Sequence, residues 1–215
     1  MKECRILKSI KSGRGHISFH TPGHKGGGAL GGVLKICAED VTELSYTDDL
    51  SSPYGPIAEA QADIAMICGA KRAFITTDGS TSGVLSMLYA VKDRGGKIIV
   101  PRNSHVSVWN ACRLLGIEPV IVQGEDGNIA PLEKYAEAMH ACGKVLLVDG
   151  AHGAHLAFEE ERAGYAGVYA DAWVDGAHKS LPALTQGAAV LINDLSLEEG
   201  IRQGLGIFRT TSPSY

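Results

Sequence analysis

The sequence predicts an α/β fold, a mainly parallel β-sheet with helices on both faces. Six short β-like runs recur from Ala73 onward, at 73–77, 97–101, 118–123, 144–149, 171–175 and 187–192. Most are nearly continuous apolar stretches, the pattern of strands covered on both faces. Helix-period segments separate several of them, and alternation of strand and helix implies parallel strands joined by crossovers.

The opening ~55 residues contain Gly23, Gly26, Gly27, Gly28, Gly31 and Gly32 with little periodicity and predict an extended arm. A helix follows near 56–68, with Ile57, Ala60, Ile64 and Ile67 on one side. Residues 81–94 are apolar almost all round, so that helix is expected to be deeply packed. Residues 106–115 predict a shorter helix closed by Gly116. In 130–142, Leu132, Tyr135, Ala136 and Met139 form one stripe at i, i+3, i+4 and i+7. The chain thus divides into an N-terminal arm, 1–55, and one large domain, 56–215.

Composition narrows the function classes. Hydrophobic residues make up 45% of the 215, enough for a core, and the 20% that are charged argue against wholesale disorder. A net charge of -4 without a basic run argues against nucleic acid as a partner. No apolar run reaches the length of a signal peptide or a bilayer span, so no membrane role is expected. Cys4, Cys37, Cys68, Cys112 and Cys142 are scattered and form no CxxC pair. They read as buried thiols of a cytoplasmic protein, not as disulfides or zinc ligands, and no metal is expected.

Ligands of such sheets bind beyond the C-terminal strand ends, where the chemistry-bearing residues fall. Gly79, Ser80, Thr81 and Ser82 lie between a strand and the long apolar helix. Backbone N–H groups there, with the hydroxyls of Thr81 and Ser82, suit a phosphate; N-capping by Ser80 or Thr81 is the simpler use, and the two are compatible. His105 follows the second strand, as a stacking imidazole or a loop histidine without a role. Asp149 ends an apolar run, where a buried carboxylate needs a partner. A pyridine nitrogen would serve; so would a loop or helix end. His152 and His155, with Asp149, invite a metal reading, but Gly150 and Gly153 disfavour the helix that the i, i+3 spacing requires. Lys179, taken alone, is an ordinary surface lysine; at a strand end among small residues, it is also where pyridoxal 5′-phosphate (PLP) would find its amine. Asp149-Gly-Ala-His152 is echoed by Asp175-Gly-Ala-His178 at a different strand end, which reads as coincidence. The order is the specific feature. A phosphate-type turn, His105, Asp149 and then His178-Lys179, at successive strand ends, is the layout of a fold-type I PLP enzyme.

The motifs together resemble the ornithine/lysine/arginine decarboxylase family, in its short bacterial form. The likeness is carried by Phe19-His-Thr-Pro-Gly-His-Lys-Gly-Gly27, Asp48-Asp-Leu50 with Pro53-Tyr-Gly-Pro-Ile57, Asp78-Gly-Ser-Thr-Ser-Gly83, Arg102-Asn-Ser-His105, Val148 to His155, His178 to Gln186, and Thr210 to Tyr215. The resemblance implies an aspartate-aminotransferase-like fold-type I large domain, incomplete at its C-terminal end, and PLP as cofactor. It implies Lys179 as the Schiff-base residue, with His178 and His105 also catalytic. Gly79, Ser80, Thr81 and Ser82 would hold the phosphate, Asp149 would meet the pyridine nitrogen, and His105 and Ala151 would flank the ring, with His152 and His178 also at the cofactor. The implied reaction decarboxylates a basic amino acid (arginine, lysine or ornithine) to a polyamine-type amine and CO₂, in a cytoplasmic homodimer or higher homo-oligomer. Another fold-type I activity, an aminotransferase or lyase, and a non-catalytic truncated remnant are the alternatives.

Three departures from the family stand out. The chain stops at Tyr215, before much of the substrate pocket and the C-terminal domain. The stretch 123–129 is short by a helix and a strand, which would force neighbouring strands to pair anew or leave a gap in the sheet. Gly176 and Ala177 replace hydroxyl-bearing residues, removing an expected phosphate contact.

Overall fold

The computed structural model describes residues 4–13, 38–95, 97–124 and 130–213. The glycine-rich part of the arm, Cys37, residues 125–129 and Ser214–Tyr215 lie outside the described residues. The chain forms two compact units, residues 1–64 with 210–215, and residues 65–209.

The first unit has a helix where an extended arm is expected: α1 (Arg5–Ser12). Ile10 is its buried anchor, and Arg5 reaches Glu59 at 2.8 Å and Asp63 at 2.6 Å. Both acids stand on α2 (Pro56–Cys68). Ile6, Leu7 and Ile10 give these eight residues one apolar side, but a helix this short is marginal by itself and its tertiary partners decide it. The start of α2 is organised by Asp48. Its buried carboxylate accepts from the backbone N–H groups of Asp49 (2.8 Å), Tyr54 (2.9 Å), Gly55 (2.7 Å) and Ile57 (3.1 Å). Burial alone would raise this carboxyl, but the backbone donors, Tyr54 foremost, outweigh it and hold the group below the usual carboxylate range. The buried line of α2 is Ile57, Gln61 and Ala65, one step round from the expected stripe, and Ile67 is exposed.

All six expected strands form in the second unit: β1 (Arg72–Thr76), β2 (Ile98–Pro101), β3 (Pro119–Val122), β4 (Leu147–Asp149), β5 (Ala172–Asp175) and β6 (Ala188–Ile192). They make two sheets. One has the order β1-β6-β5-β4, and the other is the parallel pair β2-β3. The expected mainly parallel sheet is a mixed one: β6 runs antiparallel to both β1 and β5, while β4 and β5 are parallel. The reason lies in the β5–β6 link, which holds only the short helix α7 (Ala177–Ser180) and no crossover helix. The short stretch after β3 has the consequence foreseen for it: β4 and β2 do not pair, and the sheet is broken between them.

Among the described residues, six α-helices complete this unit besides the last turn of α2: α3 (Gly79–Val91), α4 (Val106–Leu115), α5 (Leu132–Ala141), α6 (Ala166–Tyr169), α7 and α8 (Glu198–Phe208). Helix α3 lies close on the four-stranded sheet; a Cβ on Gly83 would stand 2.8 Å from a methyl of Val174 and from one of Val190. Helix α4 ends as expected, with Gly116 left-handed at φ 66°. On α5, Leu132 and Ala136 are buried, whereas Tyr135 is 37% exposed. Helix α8, not foreseen from the sequence, packs its glycines on α3. A Cβ on Gly200 would meet Ala90 at 2.8 Å, and one on Gly204 would meet Ser86 at 2.7 Å. One core joins α3, α4, α8, β2, β5 and β6, with Val84, Met87, Val100, Cys112, Val174 and Ile201 among its members. The expectation of uniformly buried thiols is corrected: Cys112 is buried and Cys68 half-buried, but Cys4 and Cys142 are exposed. Each exposed thiol flanks a helix end, Cys4 before α1 and Cys142 after α5, where no second layer covers it.

Candidate active site

Two of the strand-end segments singled out above, the Gly79 turn and His178-Lys179, meet through the loop after α7. The N–H of Gly79 donates to the Gln186 carbonyl at 2.9 Å, and the Gly187 carbonyl accepts from the His178 backbone N–H at 3.1 Å. The His178 ring adds Nδ1–H to the same Gly187 oxygen at 3.0 Å, which leaves Nε2 free of that bond. Adjacent carbonyls therefore tie the start of α3 to the segment carrying Lys179. Gln186 holds φ 76°, the left-handed region, while making this link.

At the start of α3, capping by Ser80 or Thr81 is not what forms. Asp78 is the N-cap and makes no side-chain cap bond. Gly79 takes φ 72°, with nothing within 4 Å of where a Cβ would project. An uncapped first turn facing open space is a ready anion site. Ser80 is half-buried and Thr81 is exposed, whereas Ser82 is buried and its hydroxyl donates to the Gly79 carbonyl at 3.1 Å. The expected Ser82 contact to a ligand is thus replaced by an inward bond.

Lys179 is exposed on α7, and its Nζ lies 3.3 Å from His152 Nε2. The ammonium donates, which requires Nε2 to be unprotonated. His152 belongs to the turn after β4, and the β5 end packs onto that turn: a Cβ on Gly176 would stand 2.6 Å from the Ala151 carbonyl oxygen. Only glycine fits there, which explains the departure from a hydroxyl-bearing residue at position 176. Ala151 is buried, and the Ser180 hydroxyl next to Lys179 is buried without a partner.

Asp149 departs from the environment expected of it. It ends β4 and is exposed, and its Oδ1 accepts from the Ala151 N–H at 3.2 Å. β4 is the last strand before the break, and among the described residues no strand pairs with its outer edge. The buried strand-end carboxylate is Asp175, which was not singled out for chemistry. His105 sits at the N-terminus of α4, after β2 in the other sheet. Its Nδ1 accepts from the Ser107 N–H at 3.2 Å and lies 2.8 Å from the Ser107 hydroxyl, so the ring caps its own helix. Among the described residues, no three His, Cys, Asp or Glu side chains converge as metal ligands.

Residues 7–130 match the family described as Orn/Lys/Arg decarboxylase, major domain. The uncharacterized protein YaaO of Bacillus subtilis is 31% identical over 246 positions, covering 94% of this chain and 51% of that protein. The arginine decarboxylase of Halalkalibacterium halodurans is 29% identical over 245 positions, covering 93% of this chain and 50% of that one. The chain therefore spans about half the length of these relatives. It also lacks internal positions: 94% of 215 residues is about 202, so about 44 of the 246 positions aligned with YaaO have no counterpart here. In fold, lysine decarboxylase A from Pseudomonas aeruginosa superposes with a TM-score of 0.76 at 18% identity, over 98% of this chain and 38% of that one. That likeness agrees with the expected aminotransferase-like large domain. With more than half of its residues inside the family match, the chain belongs to the Orn/Lys/Arg decarboxylase family.

Proposed function

We propose that this chain is the cofactor-binding part of a PLP-dependent decarboxylase of a basic amino acid, with Lys179 as the residue that carries the cofactor. The observation that supports this best is that linked loops join an uncapped helix start to the segment bearing Lys179, whose amine touches His152, three residues after Asp149. PLP is the cofactor that family membership brings. The donor set suits it: open N–H groups for a phosphate, an amine for an aldehyde, a carboxylate for a ring nitrogen, and an orphaned buried hydroxyl at Ser180. Bound there, PLP would supply an electron sink for the pair left on Cα as CO₂ departs.

The chain's own residues do the rest. Ser80 and Thr81 would hold the phosphate through their backbone N–H groups and hydroxyls, with Gly79 supplying the turn that presents them. Asp149 would keep the ring nitrogen protonated, and Ala151 and His105 would flank the ring. His152, 3.3 Å from the Lys179 amine, would hold it in place. Lys179 or His178, through its free Nε2, would return a proton to Cα. The oligomeric state expected of the intact enzyme, a homodimer or larger, and its choice among arginine, lysine and ornithine belong to this proposal.

The test is direct. The purified chain with added PLP is expected to gain the visible absorbance of lysine-linked cofactor, with borohydride fixing the label on the Lys179 peptide. Lys179→Ala should abolish both; a label elsewhere, or unchanged absorbance in the variant, overturns the assignment. With an intact substrate pocket, arginine, lysine or ornithine should give an amine plus CO₂, and a keto acid product would point to transamination. The broken sheet and exposed Asp149 favour one alternative, a scaffold that binds cofactor without turnover, for which the absorbance would appear and no product would form.

A further inference from the structure

Asp175 is a buried acid that the proposed chemistry leaves unused. It ends β5, four residues before Lys179, and is 5% exposed. Its Oδ2 accepts from the Tyr165 hydroxyl at 2.8 Å and from Trp173 Nε1–H at 3.2 Å. The Trp173 Nε1–H also lies 3.3 Å from the Tyr165 oxygen, and the two rings meet edge-to-face at 5.9 Å. Its Oδ1 is buried and has no partner. A carboxylate oxygen left so is costly, whereas a carboxylic acid O–H turns the same atom into a donor. The turn residue Gly150 packs on this atom: a Cβ there would stand 3.2 Å from Oδ1 and 3.2 Å from the Val174 carbonyl oxygen.

Asp175 also stands at the joint of the site. Asp149 pairs in register with Val174, so the Asp149 side chain shares Val174's face and Asp175 projects from the other. Gly150, between Asp149 and Ala151, meets Oδ1, and the next residue of β5's exit, Gly176, meets the Ala151 carbonyl. The two echoed Asp-Gly-Ala-His segments are therefore packed together at neighbouring strand ends, with Asp175 beneath the turn.

We propose that Asp175 is a positioning residue that is a neutral carboxylic acid under mildly acidic conditions, and that its proton then keeps the turn after Asp149 and the segment bearing Lys179 in their packed arrangement. The titratable groups facing it support this. Tyr165, at the start of α6, is pushed up, by burial foremost, so it stays a donor. Cys68, at the end of α2, is raised, chiefly by burial, and so stays a neutral thiol. None of these brings a cation onto Asp175. Burial lifts the Asp175 carboxyl to about 6, against the partial lowering by Tyr165 and Trp173. The sign follows from a folded-state value above the unfolded one: the acid's contribution is fully present below about pH 4 and is lost as pH rises through about 6.

The test compares wild type with Asp175→Asn, whose amide keeps an acceptor for Tyr165 and Trp173 and places a donor at the orphan position. In cofactor-free protein, the folding equilibrium of wild type relative to Asp175→Asn is expected to fall up to about 100-fold between pH 4 and pH 7.5. If Asp175→Asn does not fold, Tyr165→Phe serves: losing a donor to the anion should move the carboxyl's titration midpoint, followed by ¹³C NMR of labelled aspartates, upward. Parallel pH profiles for wild type and Asp175→Asn, or a midpoint that Tyr165→Phe leaves in place, would overturn the proposal. PLP absorbance is then read on the same proteins across pH. A stability effect without cofactor binding would sink the PLP assignment and leave this one standing.

Discussion

The two sheets of the second unit have similar strand sequences and different fates. β5 is buried at every position, and Val190, Leu191 and Ile192 of β6 are fully covered. β3 is as apolar, yet Val120 is 37%, Ile121 51% and Val122 39% exposed. The difference is one of neighbours. β5 lies between β4 and β6, and β6 between β1 and β5, whereas β2 and β3 have only each other. Val100 of β2 reaches the shared core, and helix α4 holds the pair against α3; the outer face is bare. The link from β3 to α5 is too short to hold a strand and its crossover, which leaves the pair apart from the four-stranded sheet. Apolar sequence alone, then, does not bury a strand; its partners do.

The largest test of this contrast is a matched pair of truncations. Trp173→Ala removes a fully buried ring from the intact sheet and should cost about 3–5 kcal/mol. Ile121→Ala removes a half-exposed side chain from the broken one and should cost no more than about 1 kcal/mol. Urea denaturation of the two variants against wild type measures both. Equal losses would mean that β3 is covered in solution.

How far the fold was legible follows the same division. The six strands were readable because each is an apolar run bounded by polar or glycine residues. Their pairing was not, since register and order depend on what lies between them. Helix α8 was missed because Gly200, Gly204 and Gly206 dilute its apolar stripe. Two of those glycines are its packing surface, a role that hydrophobicity cannot register. At the site, Lys179, His178 and the Gly79 turn were found by their order along the chain, and the structure joins them through Gln186 and Gly187. The burial attributed to Asp149 belongs to Asp175. The signal was present: Asp175 closes the run that contains Trp173, and a Tyr lies ten residues upstream to receive it.

A smaller effect is expected where α3 meets the intact sheet. Gly83→Ala places a methyl 2.8 Å from side-chain carbons of Val174 and Val190, both walled in by the core, and should cost about 1–3 kcal/mol by overpacking. Helix propensity favours alanine by about 1 kcal/mol, so a measured gain in stability would show that the α3 contact is looser than drawn. Thermal unfolding decides the sign.

The smallest expected effect on stability carries the most information about the broken sheet. Ile121→Thr keeps a β-branched residue on β3 and makes an exposed face more polar, so stability should change by no more than about 0.5 kcal/mol. An exposed apolar edge strand is a template for pairing with other chains, and the threonine should therefore lower self-association, read by light scattering at rising concentration. Amide exchange gives the complementary view. The N–H groups of β5 and β6 should exchange slowest, through global unfolding, and those of β3 through local opening. If β3 amides are protected as strongly as those of β5, and Ile121→Thr removes that protection along with self-association, then a second polypeptide covers the open edge in solution and the isolated pair of strands is not the form the chain adopts.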